Sequence, residues 1–495
     1  AKSDAGELEQ LNTWLSSYKF DELFTPGQGF GSFLGDILPE DNNKRMGMSK
    51  YARGGNEVYK PLVLPKVEEF SEDATLPGTM GSSSMRRTGL YLREVFHLNA
   101  DNKNFRLMSP DETYSNKLDE IFKEVSRSWQ WPIMSWDKDL SQDGRVMEML
   151  SEHNMQGLMQ GYVLTGRHAM FASYEAFLQI VSSMVDQYAK FLTQSRGVEW
   201  RGTIPSINYI LTSSGWRQDH NGFSHQNPGF IDDILRRQSN FCTVYFPADG
   251  NSTLVALEKM LSSVRQINAL VAGKTVEPRW LTPTLARKQL DAGLMVWDFA
   301  SDEDPDLIMA AAGDYPTKET MAAIDIIKQE CPQARIRCIN VSSLTTTGFG
   351  TLNNVVSQST FDDIFTDDKP VVFNFHGYPQ TIKSILFNYA VDSSRFDIRG
   401  YKEIGSTTTP FDMHVRNETS RFHLAMAAFD KLGRDGVIPF EEAQHLLVKY
   451  QAKIDANTAY IKQYGIDIPE LDAWVWPAAR GLARTEEEEW HGQTN

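Results

Sequence analysis

Between about residues 145 and 375 the chain keeps returning to one arrangement. A short run of β-branched and aromatic residues is followed by a longer stretch whose apolar residues recur at helical spacing. "HAMFA" leads into "SYEAFLQIVSSMVDQYAKFL", where Phe177, Ile180, Val181, Met184, Val185, Tyr188, Phe191 and Leu192 follow a helical period and Ser173 offers an N-cap. "INYILTSS", "FCTVYFPA" and "INALVAG" read as strands. Strands that alternate with helices imply a parallel sheet covered on both faces. From about residue 290 a second set begins with "GLMVWDFA", "DLIMAAAGDY", the helix "KETMAAIDIIKQE", "ARIRCINVSS" and "KPVVFNFHGY". Two long helices, "TSRFHLAMAAFDKL" and Phe440 to Tyr464, close it. The expected fold is therefore α/β. Two parallel-sheet domains, residues 81–285 and 286–480, follow a linker segment over 1–80 and precede a polar acidic tail over 481–495.

Composition narrows the partners. The 49 basic and 65 acidic residues leave a net charge of −16, which argues against nucleic acid or an anionic membrane as the main partner. A local basic pocket for a small phosphate stays open. No run of about 18 apolar residues is present, as a spanning helix would need. Cys242, Cys331 and Cys338 cannot build a disulfide framework and lack zinc spacing, which suits a reducing cytoplasm. "GQGFGSFLG" has the look of a dinucleotide fingerprint, but Ser32 stands where its third glycine belongs and no strand precedes it.

The densest polar chemistry is "WRQDHNGFSHQNPGF", Trp216 to Phe230, which holds two of only ten histidines. Asp219, His220 and His225 could chelate a metal, although the spacing matches neither HExxH nor a finger. "GFSHQ" starts like a nucleophile elbow and then has Gln226 where the elbow needs glycine. A plain loop whose histidines bond backbone groups is the third reading. The stretch directly follows the strand "INYILTSS", and in open parallel sheets ligands bind beyond the carboxyl ends of strands. Glu152 stands at the corresponding place after "RVMEML", where a carboxylate can have its pKa raised. It also suits a helix start, where the macrodipole favours an acid.

"GRVMEMLSEHNMQGLMQGYVLTGRHAMFASYEAF" resembles the pyrimidine-binding domain of transketolase-like, thiamine-diphosphate enzymes. More narrowly, "PDETYSNKL" at 110–118, "WRQDHNGFSHQNPGFID", "VAGK" at 271–274, "HGYP" and "RGYKEIGSTTTPFDM" resemble the phosphoketolases, from about residue 8 to 476. Transketolases carry a shorter Asp-Gly-Pro-Thr-His-Gln type of loop in place of "DHNGFSHQ". The resemblance implies phosphorolytic cleavage of xylulose 5-phosphate, fructose 6-phosphate or both, giving acetyl phosphate and a shorter aldose phosphate. It implies thiamine diphosphate and Mg²⁺ as cofactors, a cytoplasmic setting, and a homodimer or higher homo-oligomer. Glu152 would contact N1′ of the aminopyrimidine, and Tyr174 and Phe177 would wall its ring, although Phe177 equally begins a core stripe. His220 and His225 would move protons, with Asn221 orienting substrate oxygens. Thr113, Ser115, Arg196 and Lys274 would hold phosphate, Lys274 with independent support from its place after a strand.

A Gly-Asp-Gly motif followed about 25–30 residues later by Asn, which holds Mg²⁺ and the diphosphate in such enzymes, is absent from the sequence. The expectation is therefore a C-terminal portion, with no metal ligands of its own and no turnover without an N-terminal diphosphate-binding domain. Two other readings stay open: a non-catalytic dimerisation or regulatory fragment, and a transketolase. "RGYKEIGSTTTPFDM" reads as a turn-dense interface loop.

Overall fold

The computed structural model describes residues 3–53, 57–110, 113–237 and 240–480. The acidic tail expected over 481–495 lies outside them. Residues 3–53 form short helices and turns with mostly exposed side chains. From 57 the chain runs extended along the molecule, where Lys60 O accepts from His168 Nε2 and Asn104 Nδ2.

The first sheet is built from β1 (Phe105–Ser109), β2 (Val146–Glu148), β3 (His168–Tyr174), β4 (Ile207–Thr212), β5 (Cys242–Tyr245) and β6 (Ile267–Val271). They lie in the order β5-β6-β4-β3-β1-β2, all mutually parallel. The helices α1 (Ser84–Leu98), α2 (Glu152–Leu164), α3 (Ser182–Arg196) and α4 (Gly250–Ser262) cover its faces. β-Strand residues alternate in direction, so Met170 and Ala172 of β3 join one apolar core while Ala169 and Phe171 join the other. Both faces are buried, which is why these strands read as unbroken apolar runs rather than as alternation.

The second sheet comprises β7 (Leu294–Val296), β8 (Leu307–Ala312), β9 (Ile336–Val341), β12 (Val371–Phe375) and β13 (Phe396–Arg399), in the order β7-β9-β8-β12-β13. Only β7 is antiparallel. Between β9 and β12 lie β10 (Ser343–Thr345) and β11 (Gly348–Thr351), and this hairpin leaves the second sheet to pair antiparallel with β5 of the first. Nor does sheet pairing stop at residue 81, since Thr79–Met80 pairs with Pro278–Arg279. The helices α5 (Asp314–Glu330), α6 (Arg421–Arg434) and α7 (Phe440–Tyr464) pack on one face. Each apolar core runs without a break from the first sheet into the second.

The long helix expected after "HAMFA" is in fact interrupted. Ser173 belongs to β3, a short helix spans Glu175–Leu178, and a 3₁₀ turn at Gln179–Val181 precedes α3. Val181, Val185, Tyr188 and Leu192 are buried as the period requires, but Ile180 and Phe191 are exposed. No helix among the described residues is long and apolar enough to cross a membrane.

Candidate active site

Successive connections from β1 diverge: β2 lies on one side of it and β3 on the other. Such a switch point opens a crevice at the carboxyl ends of the strands. Tyr174 ends β3 there, and the short helix that follows returns Phe177 to the same side three residues later. The two rings stack with centroids 5.8 Å apart and planes 4° apart. His225 meets Phe177 edge-on at 5.1 Å and Tyr174 at 6.2 Å. The Lys274 ammonium lies 4.5 Å over the Tyr174 ring, and the Tyr174 hydroxyl is 3.3 Å from Ser115 Oγ. Ser115, Tyr174, Phe177, His225 and Lys274 thus converge from four separate loops. Phe177 is only partly buried, so it belongs to this wall and not to the core.

The loop bearing the histidines is fastened by the second domain. Trp216, buried, stacks on His414 and donates from Nε1 to His376 O at 3.0 Å. Gln226 Nε2 donates to Gln218 O and to Ser406 O, and the Tyr401 hydroxyl donates to Gln226 O at 3.2 Å. Thr408 N donates to Asp219 O at 3.0 Å. "RGYKEIGSTTTPFDM" is therefore an interface loop within the chain, seated against the histidine loop. Gly222 takes φ +69°, a left-handed conformation that favours glycine.

Held this way, His220 is exposed and His225 half-buried, with His225 Nδ1 2.8 Å from Ser224 Oγ. Burial, and secondarily the nearby His220, lower the His225 pKa. Burial raises that of Asp219. Asn221 Oδ1 is buried with no partner among the described residues. Nothing among the described residues groups three His, Cys, Asp or Glu side chains as a metal site, so Asp219, His220 and His225 do not form a chelating set.

The loop after β1 supplies the opposite wall. Glu148, at the end of β2, accepts from Thr113 N at 3.1 Å and pairs with Arg127. Arg127 in turn lies 4.1 Å over the Phe122 ring and 5.2 Å over Tyr114. Thr212 Oγ1 donates to Asn116 Oδ1 at 2.6 Å. Thr113 Oγ1 and Asn116 Nδ2 are buried without partners among the described residues. Buried polar atoms left unpaired are uncommon, and two on the loop after β1 with a third on the histidine loop fit a polar ligand.

Glu152 opens α2, with Ser151 Oγ capping Asn154 N. It shares the carboxyl edge of the sheet with the cluster, one strand beyond β1, and its carboxylate engages no hydrogen bond or ion pair among the described residues. Arg196 is the residue the structure separates from the others. It ends α3 at the amino edge of the strands, donates to Asn240 Oδ1 and Arg265 O, and covers the Phe241 ring at 4.7 Å. A helix that follows a parallel strand returns the chain to the start of the next one, so its last turn must lie at the far edge.

Periodicity could not reveal Glu148, Asn116, Glu175 or His376, all of which meet partners distant in the chain. For His376 one local signal existed: it directly follows the apolar strand "VVFNF" in "HGYP".

A stacked aromatic pair, a free-standing carboxylate and orphaned amide and hydroxyl groups suit a flat, polar heteroaromatic ring such as the aminopyrimidine of thiamine diphosphate. Comparison with known proteins bears on the same point. Residues 86–263 match the family profile described as D-xylulose 5-phosphate/D-fructose 6-phosphate phosphoketolase, and residues 274–476 match its C-terminal domain. A probable phosphoketolase of Bradyrhizobium diazoefficiens is 42% identical over 97% of this chain and 60% of its own length. One from Nitrosospira multiformis is 42% identical over 96% and 59%. The chain thus spans about three-fifths of the length of these relatives. Among solved structures, transketolase from Leishmania mexicana shares the fold with a TM-score of 0.54 at 14% identity, over 75% of this chain and 48% of that one. With these matches reaching both α/β domains, the chain belongs to the phosphoketolase family.

Proposed function

We propose that this chain provides the pyrimidine-binding and substrate-holding half of a phosphoketolase site. The reaction cleaves a ketose phosphate with inorganic phosphate, giving acetyl phosphate, an aldose phosphate two carbons shorter, and water. The observation that carries the reading is the convergence of Lys274, Tyr174, Phe177, His225 and Ser115 on one crevice.

Thiamine diphosphate, when bound, supplies the electron sink that C2–C3 cleavage requires. Glu152 would hold the proton at N1′ of its pyrimidine, and the stacked Tyr174 and Phe177 would wall one side of the ring. Lys274 and Ser115 present a cation and a hydroxyl to a phosphoryl group, and Thr113 Oγ1, on the same loop as Ser115, has no partner among the described residues. Asn221 Oδ1 accepts from a substrate hydroxyl. The lowered pKa of His225 keeps its imidazole neutral near pH 7, so its Nε2 takes up the proton of a sugar hydroxyl. His220, exposed on the same loop, would offer a second imidazole for proton transfer to the substrate. Arg196, at the other edge of the sheet, is left out of the phosphate set.

The diphosphate and its Mg²⁺ need a Gly-Asp-Gly type of site that no tripeptide of this sequence matches. We therefore expect turnover only when such a domain is supplied, and assembly as at least a homodimer. The test mixes this chain with a phosphoketolase diphosphate-binding domain, thiamine diphosphate, Mg²⁺, xylulose 5-phosphate and phosphate, and assays acetyl phosphate. Formation that is lost in Glu152→Gln supports the proposal. Aldose exchange without acetyl phosphate would indicate a transketolase, and an active Glu152→Gln would refute the cofactor assignment.

A further inference from the structure

Two residues of the second sheet reach into the supports of the crevice. His376 directly follows β12, and Asp314 begins α5 two residues after β8, so both stand at the carboxyl edge of that sheet. His376 Nε2 lies 2.8 Å from Glu175 Oε2, with the two side chains 0% and 2% exposed. Glu175 is the residue after Tyr174, and no group of its own sheet pairs with its carboxylate among the described residues. The carbonyl of His376 meanwhile accepts the indole N–H of Trp216, at the head of the histidine loop.

Asp314 makes the third connection. Its carboxylate lies directly against the backbone of Gly273, the residue before Lys274. The hydroxyl of Tyr315 meets Thr275 Oγ1, one residue past Lys274, at 2.8 Å. A Cβ on Gly273 would run into Asp314 Oδ2 and come within 2.9 Å of Tyr315 Oη, so the backbone before Lys274 is in direct contact with this pair. Asp314 and His376 also feel each other's charge.

A buried imidazole–carboxylate pair demands defined geometry, because misalignment leaves a charge unsolvated in a low-dielectric interior. An apolar contact would bury the same area without fixing the direction of Glu175, and hence of Tyr174. We infer that His376 and Asp314 are positioning residues, holding Tyr174, Lys274 and the loop 216–226 in the one arrangement that receives a phosphorylated substrate. The inference rests on the proposed reading of the crevice, and assigns to the C-terminal domain the task of aligning a site whose groups lie on the other domain.

The test compares His376→Leu, His376→Gln and the double variant Glu175→Leu/His376→Leu with the wild-type chain. His376→Gln keeps an N–H donor towards Glu175, and the double variant removes both members together, so folded protein is available even where one buried charge alone is not tolerated. Hydrogen–deuterium exchange is measured on the chain itself. The leucine variants should exchange faster in 173–178, 213–226 and 272–276 while 307–312 and 336–341 keep wild-type protection, and His376→Gln should restore much of the loss. In the assembled enzyme, KM for the sugar phosphate and for phosphate should rise about tenfold with a smaller change in kcat. Unchanged exchange in the three segments, equal acceleration throughout the second sheet, or unchanged KM values would overturn the inference. If the wild-type mixture is inactive, the proposed function fails, and the exchange data alone still decide the coupling.

Discussion

The indole of Trp216 lies flat on the imidazole of His414, with centroids 4.7 Å apart and planes inclined by 4°. One ring heads the histidine loop of the first domain and the other sits on the short helix Pro410–Arg416 of the second. Trp216→Phe should keep much of the stack but leave the His376 carbonyl without its donor, costing about 1–3 kcal/mol. Trp216→Ala should cost about 3–5 kcal/mol by opening a cavity as well. Urea unfolding measures both. Equal losses for the two variants would mean that the stack contributes nothing.

Acid should destabilise the chain through buried imidazoles. Burial lowers the pKa of His168, His414 and His423 to about 4, against an ordinary value near 6.5. Between those values the unfolded chain binds protons that the folded chain does not, so stability falls as pH drops from about 6.5 towards 4. Asp314 has the opposite sign: burial raises it to about 6, and its protonation partly offsets the loss. Thermal unfolding followed from pH 7 to 4.5 should show a falling Tm, and His414→Gln should flatten that fall. A Tm that does not change over this range would contradict the burial of these rings.

The buried pair Glu319–Arg421 offers a test of a different kind. Burial opposes ionisation of Glu319, but Arg421, bonded through Nε, Nη2 and its backbone amide, holds the pKa down to about 2. Glu319→Gln leaves Arg421 charged and buried, and should cost about 3–5 kcal/mol. Replacing both residues with apolar ones of similar volume should cost much less. A double-mutant cycle from denaturant unfolding reads the difference directly.

Gly273→Ala should disturb the crevice from behind. The added methyl group collides with Asp314 and Tyr315, and such overpacking costs about 1–3 kcal/mol. Because the displaced backbone carries Lys274, phosphate affinity in the assembled enzyme should weaken along with stability. Phosphate affinity that stays unchanged while stability falls would separate Lys274 from the phosphate set.

Several of these groups are legible in the sequence alone. Glu152 and the loop Trp216–Phe230 each follow an apolar run, and in a parallel sheet such a junction faces the ligand edge whatever the rest of the fold does. Ser115 and Lys274 came from the resemblance, Lys274 also from its place after "LVAG". Arg196 shows the limit of that reasoning. The resemblance assigns it to the phosphate set, but its position at the end of a returning helix sets it at the opposite edge, bonded to Arg265 O.

The sequence by itself determined the α/β class, most of the strands and the strand ends that carry chemistry. Local burial imposes a period, and a period is written in consecutive residues. Only the tertiary structure decided that β10 and β11 cross to the first sheet, that Phe177 leaves the helical stripe to stack on Tyr174, and that His376 clasps Glu175. Those outcomes depend on contacts between groups up to two hundred residues apart, whose free energy is realised only when both sheets are assembled.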